Sequence, residues 1–166
     1  MIELSRLSKA YAVRRMTDAD TDALFDFCKA HTAFYRYCNA QPSRERVLED
    51  LHIAPPGIGP QDKYYVGFFR GDTLVAVLDL IDGYPRPDVG YIGFVMVNAA
   101  LEGNGVGTAI IRDVCAYLRA TGKTAVRLAI AEDNPQANHF WKKNGFVVVD
   151  KAPMDGWTAL VAEKKL

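Results

Sequence analysis

The order of the predicted elements indicates an α/β protein with a mixed β-sheet flanked by helices. Three consecutive apolar strands near the middle of the chain have no helix between them, which is typical of antiparallel pairing. Two later amphipathic helices each connect a pair of strands, which is typical of crossovers. The chain has 166 residues, 49% of them hydrophobic, so we expect one domain over residues 1–166 with a sizeable core.

The first third of the chain predicts a strand, two helices and a loop. Residues 10–17 alternate as a strand does, and Thr17 with Asp20 resembles a capping box. Ser43 is a candidate N-cap of the second helix. Residues 54–61 hold three prolines and two glycines, so we expect a loop there. The expected buried positions of the two helices are Ala23, Leu24, Phe27 and Cys28, then Val47, Leu48 and Leu51.

The middle of the chain carries the clearest strand signal. Residues 64–69 and 74–81 flank a Gly71-Asp72 pair, which predicts a tight hairpin. Residues 89–97 form the next expected strand, and Gly93 inside it suggests a bulge or a close backbone approach.

The last third predicts two helices and three strands. A helical apolar pattern begins at Val106 and is closed by Gly122, and Asn134 with Pro135 starts the second helix, which Gly145 ends. The expected strands are residues 125–131, 146–150 and 157–164. The complete order is therefore β-α-α-β-β-β-α-β-α-β-β.

Composition excludes several classes of function. Lys plus Arg and Asp plus Glu both number 20, so we expect neither nucleic acid nor a membrane as a partner. The three cysteines, an odd number in no recognisable spacing, predict reduced thiols in a cytoplasmic protein. The scattered histidines His31, His52 and His139 show no metal-binding spacing, so we expect no metal, and His139 is expected to face solvent.

Glycines alternate at positions 103, 105 and 107, at the start of the helix that follows the expected strand 89–97. This pattern suggests a site where backbone N–H groups bind phosphate. Gly107-Thr108-Ala109 lacks the lysine of a P-loop. A dinucleotide fingerprint fails as well, since Thr108 or Ile110 stands where its last small residue belongs. A third kind of phosphate-binding loop has the pattern Gln/Arg-x-x-Gly-x-Gly/Ala. Gly105 and Gly107 match its two small positions.

Two segments together resemble the acetyl-CoA-binding motifs of the GNAT superfamily of N-acetyltransferases. These are EGNGVG at residues 102–107 and NPQANHFWKKNGF at residues 134–146. The element order and the strand before the loop resemble that family too. The resemblance implies a central, mostly antiparallel sheet splayed between two parallel strands, residues 89–97 and 125–131, with acetyl-CoA bound in the gap.

The resemblance also implies the coenzyme contacts. Val95, Met96 and Val97 would pair their backbone with the pantetheine arm, and backbone N–H groups from Gly103 to Thr108 would hold the diphosphate. The complete expected set is Val95, Met96, Val97, Gly103, Asn104, Gly105, Val106, Gly107, Thr108, Asn134, Ala137 and Trp141.

Two positions depart from the family pattern. Glu102 stands where the family has Gln or Arg, and a carboxylate in contact with a diphosphate is unfavourable unless it points away. Trp141 stands where many members have a tyrosine that protonates the leaving thiolate, and an indole N–H is no useful acid. We expect Trp141 to wall the thioester pocket and to pack on Phe140 and Phe146.

The expected reaction is direct transfer of an acetyl group to a primary amine in a ternary complex. Candidate catalytic groups are Tyr91 and Asp79, and candidate acceptor-binding groups are Tyr35, Asp82 and Tyr84. For Tyr91, Asp79, Asp82 and Tyr84 a structural role in the core or at the surface is the more common interpretation, whereas for Tyr35 core packing and acceptor binding fit the sequence equally well. The acceptor is a small-molecule amine or a protein amine, and a homodimer is compatible with the sequence. The alternatives are a non-catalytic acyl-CoA sensor and, disfavoured by spacing, a Rossmann-like nucleotide protein.

Overall fold

The computed structural model describes residues 1–166 and contains seven strands and five α-helices. The strands are β1 (Ala12–Arg15), β2 (Lys63–Arg70), β3 (Thr73–Asp82), β4 (Val89–Val97), β5 (Ala125–Ala131), β6 (Val147–Pro153) and β7 (Thr158–Lys165). The helices are α1 (Thr21–Cys28), α2 (Thr32–Tyr37), α3 (Arg44–His52), α4 (Val106–Ala120) and α5 (Pro135–Lys143).

All seven strands belong to one sheet, in the order β1-β2-β3-β4-β5-β7-β6. Every neighbouring pair is antiparallel except β4 and β5, which run parallel and are connected through α4. The expected mixed sheet with one parallel pair at its centre is confirmed.

Helices cover both faces of the sheet because successive strand side chains point to opposite sides. On β2, Val66 and Phe68 face the core beneath α4 and α5, whereas Tyr65 faces the core beneath α1, α2 and α3. The longest helix, α4, has 15 residues, and no helix combines the length and the apolar character that crossing a bilayer requires.

The bulge expected in β4 is confirmed at Gly93. Pairing with β3 passes from Asp79 opposite Phe94 to Leu80 opposite Ile92, which leaves Gly93 without a partner. A Cβ at Gly93 would lie closer to Asp79 Oδ2 than any real contact allows. The absence of a side chain therefore lets the Asp79 carboxylate lie over the bulge.

Several details differ from the sequence prediction, among them Ala23, which is exposed on α1 instead of buried. Residues 32–37 form the short helix α2, which was not predicted because its aromatic residues hide any amphipathic pattern. The first strand keeps only Ala12–Arg15 of the expected residues 10–17. Leu48 is 41% exposed because α3 buries Val47 and Leu51 and leaves Leu48 at the flank.

Candidate active site

A cavity of about 970 Å³ opens where β4 and β5 separate. The two strands pair only from Val89 to Ile92, opposite Ala125 to Leu128. Beyond that point β4 stays with β3 and β5 stays with β7, so a gap forms between them. Its walls come from both sheet edges, the start of α4, α5 and the α1–α3 layer. The volume lies at the upper end of the range of small-molecule and cofactor sites.

The free edge of β4 offers unpaired backbone groups to this gap. The N–H of Asn98 donates to Val75 O on β3 at 2.8 Å. Because backbone direction alternates along a strand, the polar groups of Val97 and Val95 point the other way, toward the gap. Of these groups, Val97 O is in contact with His31 Nε2 and the others have no partner on β3. An extended ligand can add to such an edge as a further strand would. Met96 differs, since its backbone faces β3 and its side chain is buried under α1–α3.

The segment before α4 presents a row of free N–H groups. Gly103 and Gly105 have φ of 79° and 75°, the left-handed conformation that favours glycine. Gly105 is the N-cap of α4 and brings no side chain to it. The backbone N–H groups of residues 103–108 donate to no acceptor within the protein. Together with the helix dipole, this arrangement favours an anion.

The third glycine of the motif serves packing. Gly107 is buried in the first turn of α4, and a Cβ there would lie 3.3 Å from both the Phe140 ring and Val97 Cγ2. The absence of a side chain at Gly107 therefore lets the start of α4 pack closely against β4 and α5, and it leaves the N–H groups of the helix start uncovered.

Two polar side chains brace the loop. Asn104 Nδ2 donates to Leu101 O at 3.2 Å and to Glu102 O at 3.3 Å, and Asn104 does not line the cavity. Thr108 Oγ1 accepts from Asn144 Nδ2 at 3.4 Å, which connects the loop to the end of α5. Val106 and Thr108 line the cavity beside the glycines.

Glu102, the position that departs from the family pattern, lies beside a histidine that the sequence did not single out for the site. Glu102 Oε1 is 3.5 Å from His31 Nε2. The same nitrogen lies 2.6 Å from Val97 O, and His31 Nδ1 lies 3.0 Å from Phe27 O. His31 connects the end of α1 to the end of β4, and its side chain is 9% exposed.

The helix α5 supplies the wall opposite β4. Asn134 caps the helix by accepting from Ala137 N at 3.1 Å, and its Nδ2 donates to no protein acceptor. Trp141 is buried, and its ring packs edge-on against Phe140 at 4.9 Å and Phe146 at 5.0 Å between centroids, as predicted. Asn134, Ala137 and Trp141 all line the cavity.

Asp79 is the carboxylate at the point where the strands separate. It is 8% exposed, lines the cavity and accepts from Lys63 Nζ at 2.8 Å through Oδ1. Its Oδ2 lies over Gly93 and has no hydrogen-bond partner in the protein. Burial raises the pKa of Asp79, and the Lys63 ammonium opposes that change only in part.

The α1–α3 layer forms an aromatic and acidic wall. Phe34, Tyr35 and Phe94 line the cavity, with the Phe34 and Phe94 ring centroids 6.2 Å apart. Asp50, which accepts from Arg46 Nε at 3.3 Å, lies on the same wall, and burial raises its pKa. Burial also raises the pKa of Tyr35, which therefore stays a neutral phenol.

Three candidate residues lie outside the cavity lining. Tyr91 belongs to the paired part of β4, between Ile81 and Arg127, and its ring meets that of Tyr84 at 5.2 Å. Asp82 pairs with Lys123 Nζ at 2.5 Å. Since β3 runs antiparallel to β4, its last residues lie at the start of β4, at the end opposite the gap. The structure thus brings Asp79 and Tyr35 to the cavity, but not Tyr91, Asp82 or Tyr84.

Sequence reasoning missed several residues of the lining. His31, Arg46 and Asp50 come from the helical layer. The turn between β6 and β7 adds Met154, Asp155 and Trp157. A histidine directly before an aromatic cluster was the one signal available in the sequence. His31 and Val97 are 66 positions apart in sequence, and no local pattern connects them.

A splayed sheet, a free strand edge and an uncovered helix start together form a site with the shape and polarity that suit an extended ligand with an anionic group. The sequence profile described as Acetyltransferase (GNAT) family matches residues 23–146, so the chain belongs to the GNAT family of acetyltransferases.

Relatives agree with this assignment. The chain is 25% identical over 164 residues to an uncharacterized N-acetyltransferase of Methanocaldococcus jannaschii, covering 96% of this chain and 70% of the relative. An acetyltransferase from Thermus thermophilus has a similar structure, with a TM-score of 0.79, 20% identity and coverage of 95% and 97%. The PaiA N-acetyltransferase from Thermoplasma acidophilum, solved in complex with coenzyme A, matches with a TM-score of 0.70, 17% identity and coverage of 93% and 98%.

Proposed function

We propose that the protein transfers the acetyl group of acetyl-CoA directly to a primary amine while both substrates are bound. The observation that carries this proposal is the row of unpartnered N–H groups at residues 103–108, which opens into the cavity at the start of α4. Membership of the GNAT family and the coenzyme A complex of a structural neighbour support the choice of coenzyme.

The coenzyme would lie along the gap between β4 and β5. Its diphosphate would accept from the N–H groups of residues 103–108, and its pantetheine arm would pair with the open backbone of Val95 and with the N–H of Val97, whose carbonyl is already in contact with His31 Nε2. The free Nδ2 of Asn134 is available to a carbonyl of that arm. A backbone N–H of the β4 edge would then face the thioester oxygen, where negative charge develops during attack.

Asp79 would act as the general base. An alkylammonium has no lone pair, so the acceptor must lose a proton before its nitrogen attacks the thioester carbonyl. Asp79 Oδ2 is the free oxygen of the carboxylate at the strand separation, and burial has raised the pKa of this group, which makes it a stronger base. Asp79 takes this first proton, directly or through one water, before the C–N bond forms. Attack leaves a second surplus proton on the nitrogen, which passes to solvent or to the released thiolate as the amide forms.

The thiolate would leave without a dedicated acid. When the tetrahedral intermediate collapses, the C–S bond breaks and its electron pair stays on sulfur. A thiol has a pKa near that of cysteine, about 8.5, so a thiolate is a fair leaving group near neutral pH. Trp141 at the family's tyrosine position would then serve to exclude water and orient the thioester.

The acceptor would enter from the wall formed by α1–α3. Phe34, Tyr35 and Phe94 offer apolar and ring surface, and Asp50 and Asp79 offer negative charge to an ammonium group. These contacts favour a cationic amine with an apolar part over an anionic acceptor. Asp82 and Tyr84 would contribute only if the acceptor extends far beyond the cavity.

Thiol release with acetyl-CoA tests the proposal over a panel of small amines and lysine peptides. Turnover with at least one amine, together with coenzyme A binding by calorimetry, is the expected result. Coenzyme binding without turnover on any amine would instead assign the acyl-CoA sensor, with which the tryptophan at position 141 is compatible. Absence of coenzyme binding at millimolar concentration would exclude both functions.

A further inference from the structure

Glu102 poses an electrostatic problem for a diphosphate site. It immediately precedes the loop of free N–H groups, and its side chain is 48% exposed. Two like charges in contact repel each other, and partial burial strengthens the repulsion. A Glu at this position is therefore compatible with the ligand only if something holds or neutralises its carboxylate.

His31 is placed to do so. It is the basic side chain within 4.0 Å of Glu102, at 3.5 Å, and it lies between α1 and α2, at the N-cap of α2. Its ring stacks on Phe27 with centroids 5.5 Å apart, which fixes the ring plane. The Glu102 carboxylate thus has a fixed partner outside the row of N–H groups.

The polar neighbours of the His31 ring are all hydrogen-bond acceptors. Nδ1 faces Phe27 O at 3.0 Å and Nε2 faces Val97 O at 2.6 Å. A neutral imidazole carries one N–H, so one of its lone pairs would point at a carbonyl lone pair. The imidazolium donates to both carbonyls and attracts Glu102 as well. The doubly protonated ring is thus the form that satisfies every neighbour.

We propose that His31, as an imidazolium, is a positioning residue for the coenzyme. It draws the Glu102 carboxylate off the diphosphate and fixes the Val97 carbonyl at the end of the open strand edge. The proposal rests on the coenzyme site proposed above. The pair replaces the neutral or positive side chain that the family has at position 102 by an acid and a base from distant parts of the chain.

Four variants test the pair. His31→Gln keeps an N–H donor for Val97 O and removes the charge, and Glu102→Gln removes the repulsion at a half-exposed position that tolerates the change. The double variant measures their coupling. His52→Gln is the matched control, since His52 lies on α3, is exposed and does not line the cavity.

Calorimetry with coenzyme A gives the first readout. We expect His31→Gln to weaken binding about tenfold and Glu102→Gln to tighten it about threefold, as one partly screened charge contact predicts. The double variant should bind within about twofold of Glu102→Gln. His52→Gln should bind as the unaltered protein does. Thermal unfolding checks that every variant is folded.

Pantetheine, which lacks the diphosphate, gives the second readout through chemical-shift titration. His31→Gln should change its affinity by less than about twofold, because the repulsion needs the phosphates. The proposal would be overturned if His31→Gln lost equal affinity for pantetheine and for coenzyme A, or if the double variant bound coenzyme A as weakly as His31→Gln does. Either result would give His31 a purely structural role. If the unaltered protein binds no coenzyme A, the proposed function fails as well, so the two failures are distinguishable.

Discussion

At the scale of single residues, the chemistry depends on Asp79. Asp79→Asn keeps the shape of the side chain and removes its basicity. We expect kcat to fall about a hundredfold or more, with coenzyme A affinity unchanged, since a positioned base contributes about 10²–10⁴. Asp72→Asn, an identical change at the exposed β2–β3 turn, is the control and should leave kcat unaltered. Full activity in Asp79→Asn would remove this residue from the mechanism.

The pH profile of kcat tests the same carboxylate. Asp79 must be deprotonated to act, so kcat should rise with pH as it ionises. Because burial raises its pKa, the rise should lie above the ordinary aspartate value of about 3.9. Lys63→Met removes the ammonium that favours the ionised form, so the rise should move to still higher pH. An identical pH profile of kcat in the unaltered protein and in Lys63→Met would contradict the assignment of Asp79 as the base.

Gly93 tests the position of the base without touching it. In Gly93→Ala the new Cβ would displace the Asp79 carboxylate from above the bulge. We expect kcat to fall about tenfold to a hundredfold, since a small displacement of a catalytic group is costly. Coenzyme A affinity should stay within about twofold because the loop at residues 103–108 is unchanged. A large loss of coenzyme binding with normal kcat would show that Gly93 serves the ligand instead.

At the scale of elements, the start of α4 carries coenzyme binding. Gly105→Ala forces alanine into φ of 75°, at a cost of about 1–2 kcal/mol in stability. Relaxation of that strain would rotate the N–H groups away from the diphosphate and weaken coenzyme A binding about tenfold.

Gly122→Ala is the matched control for the same helix. Gly122 follows the end of α4, has φ of 92° and, like Gly105, would place its Cβ in open space. Thermal unfolding should report a similar loss of stability for both variants. Calorimetry should report a loss of coenzyme A affinity for Gly105→Ala alone, and equal affinity in the two variants would refute the role of the loop.

Elements that have a clear apolar periodicity or clear turn and capping residues could be predicted from the sequence. Gly71-Asp72 predicted the β2–β3 hairpin, Gly93 the bulge, and Asn134 with Pro135 the start of α5, because each signal is local. The short helix α2 could not be predicted, since its six residues form a helix only when Tyr35 is buried against the sheet.

At the scale of the whole molecule, the direction of each strand decides which residues meet. Asp79 and Asp82 are three positions apart on β3, and both were candidates on sequence grounds. The antiparallel register with β4 places Asp79 at the strand separation and Asp82 at the opposite end. The contact of His31 with Val97 and Glu102 depends likewise on how the α1–α3 layer lies on the sheet. Such pairings follow from tertiary packing, which leaves no local pattern.

Backbone amide chemical shifts measured during a titration with coenzyme A test the central claim most directly. The N–H groups of residues 103–108 have no acceptor in the protein, so their chemical shifts should change most when coenzyme A binds. The amide shift of Gly122, at the other end of α4, should hardly change. Saturable binding with the changes concentrated at the start of α4 is the predicted result. Unchanged signals for residues 103–108 at saturating coenzyme A would contradict it.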